Sequence, residues 1–226
     1  MLDHKHKYWL VWSIMFILFY GCDTDNSDIN SIDVAENEKY EAFRKQFKIS
    51  EEIITTDSLL RINIPLVVIE TNNYEEPTFD KVITPEGCWG NGITNAQKVP
   101  GRMLIVYEKK ILYDSEKEGI KIKVRGNTTA YEEKKPYKIK LSKAADLLLR
   151  GDDKKYADKD WCLIKDELLM AKVGFYLGEL IGMTWTPRYK YVNLVMNSKY
   201  LGPYMLIEAV EKNNSCRLNV DAGGAF

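Results

Sequence analysis

Seven residues, Lys135 to Leu141 (KPYKIKL), alternate between two kinds of side chain. A strand has a period of two, so Tyr137, Ile139 and Leu141 fall on one face, and Lys138 and Lys140 on the other. One face suits a core and the other suits anions. Just upstream, Arg125-Gly126-Asn127 closes the strand Ile120–Val124 with a glycine that tolerates positive φ. Its arginine and asparagine are both able to hold phosphate or carboxylate. The chemistry this suggests is phosphate binding. A solvated hairpin with the same charge alternation is the competing reading, since half-exposed sheets often look this way.

These residues need a sheet beneath them, and the chain supplies candidates. Ile62–Thr71 reads as a β-branched strand, with Pro65 marking an edge or entry position. Arg102–Lys109, Ile120–Val124, Pro136–Leu141 and Asp160–Ile164 give four more, and Tyr189–Met196 with Tyr200–Val210 form a hairpin over Asn197-Ser198-Lys199. Helices are expected over Glu36–Phe47, from Ser142 to Leu149, and over Glu167–Ile181. In the last of these, Leu169, Val173, Leu177 and Leu180 are expected to form the buried stripe and Gly182 the stop. Between Asn72 and Gly101, frequent Pro and Gly predict a long irregular loop, in which Trp89 reads as a hydrophobic plug rather than a binding residue. The expected class is α+β: one mostly antiparallel sheet with inserted helices.

With 226 residues, 45% hydrophobic and 29% charged, the chain can build one sizeable core. A formal charge of −1 gives no global basic field, so any anion site is local and no nucleic-acid partner is expected. The N-terminus carries His4-Lys5-His6-Lys7, then the apolar run Tyr8–Tyr20, too short to span a bilayer comfortably; together they describe a secretory signal. It ends Leu18-Phe19-Tyr20-Gly21-Cys22, which resembles a bacterial lipobox and implies lipidation of Cys22. The acidic stretch Asp23–Asp33 then reads as a disordered tether. The expected division is residues 1–21 signal, 22–58 tether and short helix, and 59–226 domain. Cys88, Cys162 and Cys216 permit at most one internal disulfide, and Cys162 between Trp161 and Leu163 reads as an inert core thiol. The two histidines, His4 and His6, lie in the signal, which leaves no histidine for catalysis in the mature chain.

Six blocks recur in order: RGNTT; KKPYKIKL; Asp160-Trp161-Cys162-Leu163; a helix ending Leu180-Ile181-Gly182; Tyr191 to Asn197; and Tyr200 to Glu208. This order resembles the CotH family, the spore-coat-protein-H-like atypical protein kinases, over about residues 64 to 226. The resemblance implies an atypical protein-kinase-like fold of the CotH type. The implied activity is transfer of phosphate from ATP, with Mg²⁺, to Ser or Thr of secreted or surface proteins. It implies nucleotide contacts from Arg125, Lys135, Lys138 and Lys140, which match the basic motif, and from Glu208, which matches the glutamate ending the family's Tyr-Leu-Gly strand. A Lys138–Glu208 pair would then orient the lysine on phosphate. With Cys22 lipidated, the protein would sit in the cell envelope, anchored to the outer membrane.

Two departures accompany the resemblance. The family's arginine-asparagine pair opening the long helix is replaced here by Met170-Ala171, which removes charge-assisted donors near a phosphate site. Its metal-binding and catalytic carboxylates fall beyond Phe226, so the chain reads as an N-terminal portion, with no metal ligand or catalytic base assignable from spacing and no phosphotransfer expected from it alone. The alternative function is a non-catalytic surface lipoprotein that binds a glycan or protein partner through Trp89 and the Tyr189 to Tyr204 aromatics.

Overall fold

The computed structural model describes residues 26–49, 54–82, 91–166, 169–211 and 217. The secretory run, Cys22, Cys88, Trp89 and Cys216 lie outside them. The chain divides into two units, Met1–Lys39 and Tyr40–Phe226. The helix α1 (Asn26–Gln46) starts in the first and ends in the second; because it is helical from Asn26, most of the expected tether has regular structure. No helix among the described residues is long and apolar enough to cross a membrane.

Among its described residues the second unit has ten strands: β1 Leu66–Thr71, β2 Asp80–Val82, β3 Gly92–Thr94, β4 Val99–Tyr107, β5 Lys110–Asp114, β6 Ile120–Val124, β7 Tyr137–Ala145, β8 Asp158–Ile164, β9 Tyr189–Met196 and β10 Lys199–Glu208. The α+β expectation is overturned by how they pair. The order β1-β9-β10-β8-β7-β6-β4 returns to β1, because β1 bonds β9 in parallel along one edge and β4 antiparallel along the other. Seven strands therefore close into a β-barrel and the protein is mostly β, neither an open sheet with inserted helices nor the kinase-like fold anticipated. Pairwise patterning reveals strands but not closure, which depends on β1 finding both partners across long sequence separations. Closure removes the exposed edges an open sheet would leave. At the seam Gly101 faces Thr71 on β1 and Ile120 on β6, and an added Cβ would lie 2.5 Å from the Glu70 carbonyl oxygen. The two backbones meet there only because that side chain is absent. β5 pairs with the far end of β4, outside the ring.

Alternation sorts each strand into a wall facing the barrel interior and one facing out. The interior holds Val67, Ile69, Val99, Met103, Ile105, Ile120, Ile122, Val124, Tyr137, Ile139, Leu141, Trp161, Leu163, Leu194, Tyr204 and Leu206 as one buried cluster. Outside β1, β4 and β9, Leu66, Val68, Leu104, Val106 and Val195 are covered by Tyr40 and Phe47 and by Leu59 of α2 (Thr56–Arg61). The N-terminus of α2 is set by Thr55, whose hydroxyl accepts from the Ser58 N–H at 3.2 Å.

After the one-turn helix α3 (Asp153–Tyr156), and outside β8 and β10, Cys162, Met205 and Ile207 are covered by Ala171 and Phe175 of α4 (Met170–Leu180). The face of α4 differs from expectation. Leu169, Val173, Leu177 and Leu180 are 50%, 49%, 49% and 68% exposed. The barrel is met instead by Ala171 and Phe175, while the buried Gly178 faces the segment that follows the helix, where an added Cβ would lie 2.7 Å from Thr186. Small residues on one side let the helix lie close, and the bulkier aliphatic stripe turns outward. The helix expected from Ser142 does not form: β7 continues to Ala145, and Asp146 accepts from the backbone N–H of Leu148 and Arg150 to make a tight turn.

Candidate functional site

The lysines meet through register. β6 and β7 pair Lys121 with Lys140 and Lys123 with Lys138, and β7 and β8 pair Lys138 with Cys162 and Lys140 with Asp160. All these side chains share the outer wall, while Ile139 and Trp161 between them are buried within. Like charges directly opposite on adjacent strands destabilise a sheet, so the array is held by what lies beside it. Asp160 takes the Lys138 ammonium at 2.7 Å and that of Lys140 at 3.6 Å. Glu211, just past β10, approaches Lys138 at 4.0 Å.

Asp158, Asp160 and Glu211 bring one carboxylate oxygen each within 4.8 Å of one another. Asp158 is held in place by the backbone N–H of Asp160 at 3.0 Å and by Arg217 at 3.4 Å. Burial, a hydrogen bond to Asp158 and the charges of Asp160 and Asp158 push Glu211 up to about 7, with Lys138 partly opposing them. Partial burial lowers the Lys138 pKa, but the hydrogen bond and charge of Asp160, with Glu211 behind it, leave it raised. Burial pushes the Cys162 thiol up, and Arg125 and Lys138 act against that shift, which puts both cations on this patch.

Of the residues expected to bind nucleotide, Arg125, Lys138 and Lys140 are therefore brought together on one outer face. Lys135 stands before β7 begins, where its backbone carbonyl accepts from the Tyr204 hydroxyl at 3.0 Å. Glu208 does not join them. It aligns with Trp161 rather than with Cys162, so alternation turns it inward, away from Lys138. There it is 1% exposed and meets Arg150 at 2.7 Å, Arg217 at 2.9 Å and the backbone N–H of Arg188 at 3.0 Å. The Lys138–Glu208 pair is thus replaced by Lys138–Asp160 outside the wall and by a Glu208–arginine hub inside it. The hub is packed from both sides: Arg217 lies over the Trp161 ring at 4.6 Å and Arg150 over Tyr156 at 4.0 Å. Burial alone would lower the pKa of Arg150, but hydrogen bonds to Asp146 and Glu208 hold it above its ordinary value.

Sequence reasoning missed Asp158, Asp160, Glu211, Arg150 and Arg217. For Asp160 a signal existed. In Asp158–Ile164, Trp161 and Leu163 mark the buried wall, so Asp160 had to lie on the other, beside the lysines. For Arg150 and Arg217 no local pattern was available, since both reach Glu208 from distant segments. At Met170-Ala171 the helix α4 opens without a cap from its own N-cap side chain. The N-cap of α4, Leu169, is left-handed with φ 58° and makes no side-chain cap, and Asp166 instead accepts from the Ala171 N–H at 2.7 Å and from the Tyr191 hydroxyl at 2.6 Å.

The aromatics offered as an alternative contact surface are mostly engaged internally: Tyr204 is buried, and Tyr189 and Tyr191 stack edge to face at 5.8 Å beneath α4. A cleft of about 620 Å³ opens beside them, between α4 and the 148–156 segment, lined among others by Arg150, Tyr156, Lys172, Phe175, Tyr176 and Lys190.

Among known proteins, a family model described as CotH kinase protein matches residues 122–224. The matched segment starts in β6 and takes in Lys138, Asp160, Glu208 and Glu211, and over it the CotH resemblance is shown. No curated protein matches the chain.

Proposed function

We propose that this chain, whose residues 122–224 match the CotH kinase family, carries the nucleotide-binding part of an exported protein kinase. It would transfer phosphate from ATP to Ser or Thr of secreted or cell-surface proteins. The observation that carries the reading is the Lys138 ammonium, 2.7 Å from Asp160 on the edge of a three-carboxylate cluster inside the matched segment. A phosphate-binding lysine beside carboxylates able to hold a divalent cation is what phosphoryl transfer requires of a nucleotide site.

The donor set fits such a cation. Asp158, Asp160 and Glu211 offer only carboxylate oxygens, the hard ligands Mg²⁺ favours. Burial and the neighbouring charges of Asp160 and Asp158 push Glu211 up to about 7, a mutual repulsion of carboxylates that a divalent cation among the three would relieve. Mg²⁺, when bound, would neutralise phosphate charge there. The chain's own residues orient: Lys138 aims one ammonium at the cluster, Arg125 and Lys140 flank it, and Arg217 fixes Asp158 from behind. The secretory run Tyr8–Tyr20 and the cysteine motif at Cys22 support export and anchoring to the outer membrane by lipid.

Lys138→Ala should weaken Mg²⁺-ATP binding by about 10- to 100-fold in a calorimetric titration, the size of a lost charge-assisted hydrogen bond. Lys121→Ala, on the same wall but opposite Lys140, should stay within about twofold. Equal affinity for Lys138→Ala and the unaltered protein would reduce Lys138 to a structural ion pair.

A further inference from the structure

The cleft beside α4 shares no lining residue with the lysine wall or the three-carboxylate cluster, and Arg150 of the Glu208 hub lines it. Its volume, about 620 Å³, is within the range of ligand sites. Its floor carries rings from Tyr156, Phe175, Tyr176 and Tyr189. Its charges are unevenly met. Arg150 is answered by Asp146 and Glu208, and Arg188 pairs with Glu179 across the mouth. Lys190 spends its ammonium on the neutral Leu148 carbonyl at 2.8 Å, and Lys172 is exposed, so two positive charges are uncompensated among the described residues.

The cleft also does not end at its own rim. Tyr176 lines it and is 64% exposed, and on a helix its neighbours three and four positions away are Val173 and Leu180. With Met170 and Leu177 they extend an apolar surface along α4, all at least 49% exposed. A basic, ring-lined groove that continues onto an aliphatic helix face suits an extended chain rather than a compact ligand. Its charge calls for acidic residues, and its rings and aliphatic rim call for an aromatic or apolar one among them.

We propose that this cleft docks an acidic peptide segment bearing an aromatic or apolar residue, presented by the protein that the kinase phosphorylates. The carboxylates of the segment meet Lys172 and Lys190, and its ring packs among Phe175, Tyr176 and Tyr189. This deepens the kinase reading by naming its substrate class.

The test uses the full chain and a short fluorescein-labelled glutamate peptide with one central tyrosine, followed by anisotropy without nucleotide. The peptide should bind, binding should weaken as salt rises, and the same peptide with lysine for glutamate should not bind. Lys172→Glu, at an exposed position, should weaken binding at least about tenfold. Lys190→Gln, which keeps a donor for the Leu148 carbonyl, should weaken it severalfold. Mg²⁺-ATP affinity should be unchanged in both variants. Unchanged peptide affinity in both variants, or equal binding of the lysine peptide, would overturn the proposal. Displacement of the peptide by Mg²⁺-ATP would overturn it too, by assigning the cleft to the nucleotide. Peptide binding with these sensitivities but no nucleotide binding would support the cleft and sink the kinase reading alone.

Discussion

Glu208→Ala should cost about 3–5 kcal/mol of folding stability, measured as a shift of the urea unfolding midpoint, because it removes the partner of the buried Arg217 and of the partly buried Arg150. Glu208 is buried at the end of β10, with one carboxylate oxygen at 2.7 Å from Arg150 and 2.9 Å from Arg217. The Arg217 side chain has no exposure, so water cannot replace the lost anion. Arg150 keeps Asp146, and Arg217 keeps Asp158 at a longer 3.4 Å, so the loss is severe without being total. Against the 5–15 kcal/mol typical of a folded domain, this is a large share. Glu208→Gln, which keeps an acceptor but not the charge, should fall between the two. A loss below about 1 kcal/mol for Glu208→Ala would mean that the hub contributes little to the fold.

Trp161→Ala should be of similar size, about 3–5 kcal/mol, for a different reason. The indole fills the barrel interior beside Ile139 and is fully buried, and its N–H donates to the Asp158 carbonyl at 3.0 Å. Its face supports Arg217 at 4.6 Å. Removing it opens a cavity and also unseats the arginine that holds Asp158. Since Trp161 and Glu208 are register partners and share Arg217, the double variant should lose less than the sum of the two singles. Strict additivity in urea unfolding would show that the network is not coupled.

The sequence made the walls of this barrel legible but not their closure. The alternation in IKIKV and KIKL placed Ile122 and Ile139 inside and the lysines outside, as found, because a period of two is a local property. The seam at Gly101 was not legible, since it depends on β1 reaching both β4 and β9. The stripe on α4 was assigned to the wrong face for a related reason. Leu169, Val173, Leu177 and Leu180 carry the aliphatic periodicity there, yet the side that packs on the barrel is the one with Ala171 and Phe175. Strand parity placed Lys138 on the outer wall, where it meets Asp160. The same parity separates it from Glu208, whose partners Arg150 and Arg217 lie outside the described strands, where no period of two points to them.

The central claim is that the Lys138 ammonium sits against nucleotide phosphate. Acyl-phosphate derivatives of ATP acylate whichever lysine lies beside their phosphates, and mass spectrometry then identifies it. Treated with such a reagent and Mg²⁺, the full chain should be modified at Lys138, and excess ATP should protect it. Labelling that ATP does not suppress, or protected labelling at Lys172 or Lys190 with Lys138 untouched, would contradict the claim.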